Sequence, residues 1–353
     1  MADPLPRKME ALVKTSEKES FEFKTLDLPE PVGDEALIKI EVASLCGSDI
    51  NLYKWNEVAK LLANIPFTPG HECAGTVVKC GPSSTVIIGQ RVTVENHFFC
   101  DHCYQCKHGL QGICKNMGQY GHGNKTIYGG CSQYSIVPSK YLYCLKTNIS
   151  FLEATLLEPL GVSHQAIESL EVQNEDVLII GCGAIGLLAT SVAKALGANR
   201  VICTDVIDER LQLAKKMGAD VTVNSSNQDL KNFIMNLTND DGINRICECS
   251  GSTIMVNSMF GMLRKGGHIV MVGLPKEPIH IENTVQDILF KSLTLKTVHG
   301  RRIFHTWECC EMLVFSGQVD VKPLITHKFP MREFEEAFKT IFSGKCVKAI
   351  IEP

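Results

Sequence analysis

The sequence predicts an α/β protein of two domains, a β-rich one followed by a doubly wound parallel sheet. Three observations carry this. The chain has 353 residues, about two ordinary domains. From residue 9 to 145, short strand-like runs are broken by Gly and Pro. From residue 177 onward, apolar strand runs alternate with helical runs, the pattern of βαβ units in a parallel sheet.

Taken in order, residues 1–8 read as a short extension without an apolar signal core. Residues 9–14, 21–28 and 36–43 alternate as strands, punctuated by Pro29, Pro31 and Gly33, and 51–63 reads as one helix. Pro66, Pro69 and Gly70 break the chain before His71-Glu72. Strands at 74–78, 91–94, 132–137 and 141–145 complete a barrel-type β domain. Residues 151–166 are helical. Strands then fall at 177–181, 200–205, 221–223, 244–250, 267–273 and 293–298, with helices at 185–197, 208–217, 228–238, 253–263 and 284–291. A helix from 301 to about 315, one at 331–343 and a strand at 346–351 end the chain.

Composition sets the class. Hydrophobic residues at 44% and charged residues at 21% are ordinary for a globular protein in water. A net charge of −4 gives no basic field for nucleic acid or anionic membrane. No apolar run approaches the ~18 residues of a membrane span. Sixteen cysteines in a long chain without a signal peptide predict reduced thiols and a cytoplasmic protein.

Gly181-Cys182-Gly183-Ala184-Ile185-Gly186 lies between the strand 177–181 and the helix 185–197. In a strand–turn–helix the first Gly makes the turn, the second admits a pyrophosphate, and the third lets helix and strand pack. Asp205, about 20 residues on, suits a ribose 2′-hydroxyl and repels a 2′-phosphate, which predicts NAD over NADP. Arg210 works against that preference, and Asp208-Glu209 restore it. The cofactor-binding candidates are therefore Gly181, Gly183, Ile185, Gly186, Asp205 and Arg210.

Cys100, Cys103, Cys106 and Cys114 stand as Cys-x2-Cys-x2-Cys-x7-Cys in a loop with few large apolar residues. Four thiolates so spaced close a structural zinc site, with an iron–sulfur cluster as the alternative. A second set is dispersed: Cys46 in Cys46-Gly47-Ser48-Asp49, His71-Glu72, and Glu158 in Leu157-Glu158-Pro159. Thiolate, imidazole and carboxylate can hold zinc while leaving a position open for substrate. Taken alone, Cys46 reads first as a small buried apolar residue and His71 as a loop histidine with its hydrogen bonds met.

These motifs, with Gly70-His71-Glu72-Cys73-Ala74-Gly75, Gly89-Gln90-Arg91-Val92 and Glu158-Pro159-Leu160, resemble the zinc-dependent medium-chain dehydrogenase family over nearly the whole chain. The resemblance implies a GroES-like β-barrel catalytic domain at 1–158, a Rossmann coenzyme domain at 159–300, and a segment 301–353 returning to the first domain. It implies Cys46, His71 and Glu72 as catalytic zinc ligands, with Glu158 entering the shell directly or through water, and a second, structural zinc on the four cysteines. It makes Ser48 the partner of the reacting hydroxyl and places His97 in the substrate pocket. It also implies a homodimer or homotetramer, with the strand 293–298 as a candidate for extension across a subunit boundary. One departure stands out: a His usually follows Cys-Gly-[Ser/Thr]-Asp after one residue, and Asn51 stands there instead.

Within the family, Tyr53-Lys54-Trp55-Asn56-Glu57, Val94-Glu95-Asn96-His97, Gly300-Arg301 and Pro323-Leu324-Ile325-Thr326-His327-Lys328 resemble the branch that oxidises a β-hydroxy amino acid. That reading makes Arg301 the partner of a substrate carboxylate and Glu57 or Glu95 the partner of its ammonium. A sorbitol-type polyol or other secondary-alcohol dehydrogenase is the enzyme alternative, and an inactive nucleotide-binding protein is the non-enzyme one.

Overall fold

The computed structural model describes residues 4–353. They fall into two compact units. The first holds residues up to Glu158 together with 302–315 and 325–353. The second holds 159–301 and 316–324.

The first unit is built on a seven-stranded sheet. Its strands run in the order Ile325–Pro330, Lys348–Glu352, Glu35–Leu45, Glu72–Cys80, Arg91–Val94 and Leu142–Cys144, and Tyr134–Pro138 pairs with the far end of Glu35–Leu45. Pairing is antiparallel except between Ile325–Pro330 and Lys348–Glu352. The register sets Ser44 opposite Glu72 and Leu45 opposite Ala349. Cys46 follows immediately, so three strand ends bring Cys46, Glu72 and Lys348 to one place. Gly75 has no room for a side chain there: a Cβ would strike the Lys39 carbonyl oxygen of the neighbouring strand.

Two expectations for this unit are corrected. The helix expected over 51–63 is two, Gly47–Lys54 and Glu57–Leu62. Trp55 takes a left-handed φ of 50°, which ends the first, and the Asn56 side chain caps the second by accepting from Val58 and Ala59 N–H. Residues 7 and 8 are not an extension, since a strand begins at Lys8 and the Arg7 carbonyl accepts from Leu28 N–H at 2.9 Å. Residues 1–3 of that expected extension lie outside the described residues.

The second unit is a six-stranded parallel sheet ordered Val221–Asn224, Arg200–Asp205, Asp176–Ile180, Ile243–Glu248, Leu263–Met271, Thr294–Thr297. Strand order therefore reverses between Asp176–Ile180 and Ile243–Glu248, the switch point at which such sheets bind ligands. Central strands are apolar on both faces because helices cover both: Val177, Leu178, Ile179, Val201 and Ile202 are fully buried. Where a helix was expected over 284–291, the chain makes a single π turn at Val285–Leu289.

Candidate active site and metal centres

Cys46, His71 and Glu72 each bring one ligand atom into a group whose members lie within 4.8 Å of one another. Cys46 is the N-cap of the helix Gly47–Lys54, so its sulfur sits at the positive end of that helix. The Cys46 N–H donates to Asp49 Oδ2 at 2.8 Å. The other oxygen of Asp49 lies 3.8 Å from His71 Nδ1, and neither of these two atoms has a hydrogen-bond partner among the described residues. A carboxylate behind the ring orients it with the opposite nitrogen toward Cys46. Burial disfavours the imidazolium, but the charges of Asp49 and Cys46 outweigh it and raise the His71 pKa to about 10. A metal taking this ligand therefore displaces a proton.

Glu72 is fully buried. Lys348 Nζ donates to both of its oxygens, at 2.8 and 2.7 Å, and Ser44 Oγ donates to one of them. Burial would raise the Glu72 pKa, yet the Lys348 and His71 charges leave it lowered. Glu158, buried in the first turn of the helix Leu157–Leu170, acts electrostatically on both His71 and Lys348. Ser48 Oγ is buried without a hydrogen-bond partner among the described residues. A thiol, an imidazole and two buried carboxylates, with an orphan hydroxyl beside them, fit a zinc ion that keeps a position open.

His97 belongs to a separate buried network. Its Nδ1 lies 2.7 Å from Glu95 Oε1, and Trp307 Nε1–H donates to Glu95 Oε2 at 2.7 Å. His122 packs on His71 with ring centroids 5.2 Å apart. Glu95 is thus engaged with His97 and Trp307, while Glu57 is an exposed residue paired with Lys60.

The four cysteines of the loop form the second ligand group, again within 4.8 Å. Cys103 Sγ stands 3.5 Å from Cys106 Sγ and 3.8 Å from Cys114 Sγ. Sulfurs on a tetrahedral zinc with bonds of about 2.3 Å stand about 3.8 Å apart, so the set fits one ion and is too tight for a multi-iron cluster. Burial opposes ionisation of Cys100, but the His102 and Cys103 N–H groups lower its pKa to about 5. Burial, seconded by Cys103, pushes Cys106 up to about 12. All sixteen cysteines are free thiols.

In the second unit a cavity of about 290 Å³ opens at the switch point, lined by Gly181, Gly183, Asp205, Arg210 and Ser250 among others. Gly181 has φ 91°, and a Cβ there would meet Ser250 Cβ at 2.8 Å. A Cβ on Gly186 would run into the Gly181 carbonyl oxygen. A Cβ on Gly183 would meet nothing within 4 Å, so the space beside it is open to a ligand. Gly183 also caps the helix Ala184–Ala195 without a side chain, leaving its first N–H groups to an anion. Asp205 braces the turn by accepting from Cys182 N–H at 2.7 Å and from Val206 and Ile207 N–H at 2.8 and 3.0 Å. Ile185 holds the start of the helix, its carbonyl accepting from Ser163 Oγ at 2.8 Å. Arg301 is buried at the end of this unit.

A cavity at the switch point beside a glycine turn, and a thiol–imidazole–carboxylate group able to hold a metal, are features of an alcohol-type oxidoreductase. Residues 33–147 match the family described as the alcohol dehydrogenase GroES-like domain, and 184–316 match the zinc-binding dehydrogenase family. The chain is 37% identical over 325 residues to an L-threonine 3-dehydrogenase of Coxiella burnetii (strain Dugway 5J108-111), covering 92% of this chain and 93% of that protein. Among solved structures it is similar to galactitol-1-phosphate dehydrogenase from Escherichia coli, with a TM-score of 0.89 and 27% identity over 98% of this chain and 100% of that one. It is also similar to a zinc-binding dehydrogenase from Sinorhizobium meliloti 1021 bound to NADP, with a TM-score of 0.90 and 25% identity over 98% and 99% of the two chains. The chain belongs to the zinc-dependent medium-chain dehydrogenase family. It is a zinc- and nicotinamide-dependent enzyme acting on a small alcohol.

Asp49, Ser44 and Lys348 were not singled out from the sequence. Asp49 stands in the quoted Cys46-Gly47-Ser48-Asp49 run and was legible in principle. Lys348 reaches Glu72 across 276 positions, a distance no local pattern encodes.

Proposed function

We propose that the enzyme oxidises the secondary hydroxyl of a β-hydroxy amino acid, L-threonine foremost, giving 2-amino-3-oxobutanoate and NADH. The observation that carries this is the Cys46–His71 cluster with the Ser48 hydroxyl left without a partner beside it. An alcohol oxygen entering there finds a ligand-deficient metal site and a hydrogen-bonding hydroxyl. The substrate class rests on the L-threonine 3-dehydrogenase relative.

Cys46, His71 and Glu72 would hold the catalytic zinc, with Glu158 entering the shell directly or through water. Bound zinc supplies Lewis-acid polarisation of the alcohol oxygen. Asp49 orients His71, and Ser48 accepts and passes on the hydroxyl proton. The loop cysteines hold a second zinc, whose role is to order residues that packing cannot. Gly183 and the start of the helix Ala184–Ala195 receive the pyrophosphate, and Asp205 favours NAD over NADP.

The enzyme works as a dimer or tetramer in the cytoplasm. Thr294–Thr297 is an edge strand carrying the exposed Leu295, which suits pairing with a second copy. Among the described residues, no helix is long and apolar enough to cross a membrane.

Steady-state kcat/KM on L-threonine, sorbitol, galactitol 1-phosphate and 2,3-butanediol tests the substrate assignment. A clear preference for L-threonine supports it. Absence of threonine oxidation with turnover of a polyol replaces it with the polyol reading.

A further inference from the structure

The strand Ile243–Glu248 ends at the switch point on a carboxylate. Glu248 is fully buried, and among the described residues no Lys, Arg or His pairs with it. A buried carboxylate without a counter-charge destabilises the fold unless hydrogen bonds meet its oxygens. Here the chain that follows the strand meets them. Oε1 accepts from Ser250 N–H at 2.8 Å, from Gly251 N–H at 3.0 Å and from the Ser250 hydroxyl. Oε2 accepts from Gly251 N–H as well, at 3.3 Å. Ser250 Oγ in turn accepts from Ser252 N–H at 3.0 Å. One carboxylate therefore gathers Ser250, Gly251 and Ser252 around itself.

The same residue reaches the exit of the next strand. Its carbonyl oxygen accepts from Val272 N–H at 2.8 Å and from Gly273 N–H at 3.0 Å. A Cβ on Gly273 would collide with Glu248 Oε2. Gly251 has φ 61°, and a Cβ on it would meet the Leu274 carbonyl oxygen at 2.6 Å. The turn 249–252 and the strand exit 272–274 are thus pressed together, with glycine at both points of contact.

That turn is a wall of the cavity at the switch point. Cys249, Ser250, Ser252 and Met255 line it together with Gly181 and Gly183. Ser250 lies directly against the glycine turn, since a Cβ on Gly181 would meet Ser250 Cβ at 2.8 Å. Glu248 itself is not one of the lining residues, so whatever it does for a ligand it does through Ser250 and Ser252. An apolar side chain of similar volume would fill its place with less desolvation. What an apolar side chain lacks is two oxygens on which several backbone N–H groups can converge. A local rule broken at the edge of a ligand cavity marks a functional requirement.

We propose that Glu248 is the positioning residue of the dinucleotide cavity, holding Ser250 and Ser252 at the spacing from Gly181 that the cofactor needs. This rests on the reading that the cavity takes a nicotinamide dinucleotide. The carboxylate touches no part of the cofactor. It fixes the wall before the cofactor arrives, so that binding does not have to order it.

The test uses the full-length zinc-loaded protein with NAD as the probe, titrated by calorimetry. Glu248→Leu removes every acceptor of the side chain and raises the NAD Kd by about 30-fold or more, the effect of losing hydrogen bonds to a charged group. Glu248→Gln keeps one acceptor oxygen and raises it by about three- to tenfold. In both variants bound zinc is unchanged and kcat at saturating NAD stays within threefold of wild type, so the loss falls on the KM for NAD. A residue serving the fold alone would lower thermal stability and leave the NAD Kd of the folded protein as it was. Hydrogen exchange adds a measurement that stands even if Glu248→Leu fails to fold: the Ser250 and Gly251 amides are protected in the cofactor-free wild type and lose that protection in Glu248→Gln. Folded variants that bind NAD within twofold of wild type, or a cofactor-free wild type in which these two amides exchange freely, overturn the assignment. If the wild type binds neither NAD nor NADP, the dinucleotide reading falls first. If wild type and variants bind NAD equally, only the role of Glu248 falls.

Discussion

Lys348 and Glu72 form a buried ion pair in which one ammonium touches both carboxylate oxygens, at 2.8 and 2.7 Å. Lys348 also reaches the Leu45 carbonyl oxygen at 3.3 Å, one residue before Cys46. The pair fixes the strand ends that carry the metal ligands and keeps a carboxylate charged beside them.

Removing one partner of such a pair leaves the other charge unpaired in the core, at a cost of about 3–5 kcal/mol. Lys348→Met is therefore expected to lower unfolding stability by that amount in denaturant titration. The double variant Lys348→Met/Glu72→Gln should recover a large part of it. Simple additivity of the two single losses would show that the pair is not coupled.

The glycine turn separates folding from binding. Gly186→Ala drives a methyl into the Gly181 carbonyl oxygen, so it should destabilise the second unit by about 3 kcal/mol or more, a size expected of backbone strain. Gly183→Ala meets no protein atom within 4 Å, so thermal stability should hold while NAD affinity falls about tenfold or more, because the methyl occupies the approach of the pyrophosphate. Calorimetry with and without NAD reads both. Unchanged NAD affinity in Gly183→Ala would remove the turn from the cofactor site.

The cysteine loop should depend on its ion. Cys103→Ser is expected to cut bound zinc from two ions per chain to one and to open 98–124 to proteolysis, with the NAD affinity of the second unit kept. Metal analysis and limited digestion check this. Full zinc content in the variant would contradict it.

Lys14 gives a pH dependence. Its side chain is buried, and Nζ donates to the carbonyls of Lys18, Ser20 and Tyr53 at 2.5, 3.0 and 2.9 Å, with no acid in direct contact among the described residues. Burial lowers its pKa to about 8, against a small opposing pull from Glu19. Between that value and the unfolded value of 10.5 the unfolded chain binds more protons, so this group's contribution to stability rises with pH across that window and is lost below it. The stability of wild type relative to Lys14→Met should accordingly increase from pH 8 to 10. A flat difference would refute the shift.

Much of this was legible in the sequence because it is local. Val177 to Ile180 running into Gly181 encodes strand and turn together, and Cys100, Cys103, Cys106 and Cys114 fall within one short loop. The parallel sheet, the family and the zinc–nicotinamide chemistry follow from such patterns. What escaped depends on distant pairing. The strand Ile325–Pro330 alternates in burial but exists only against Lys348–Glu352. The Lys348–Glu72 and Trp307–Glu95 contacts join residues hundreds of positions apart. The break at Trp55 was hidden because a non-glycine residue supplies the left-handed conformation.

The most direct test of the account is the rate of NADH formation from L-threonine by the zinc-loaded wild type and by Cys46→Ser. The account predicts turnover on L-threonine in the wild type and a loss of about 1,000-fold or more in the variant, since transition-state stabilisation of several kcal/mol depends on that ligand set. Threonine oxidation at an undiminished rate in Cys46→Ser, or none in the zinc-loaded wild type, would contradict it.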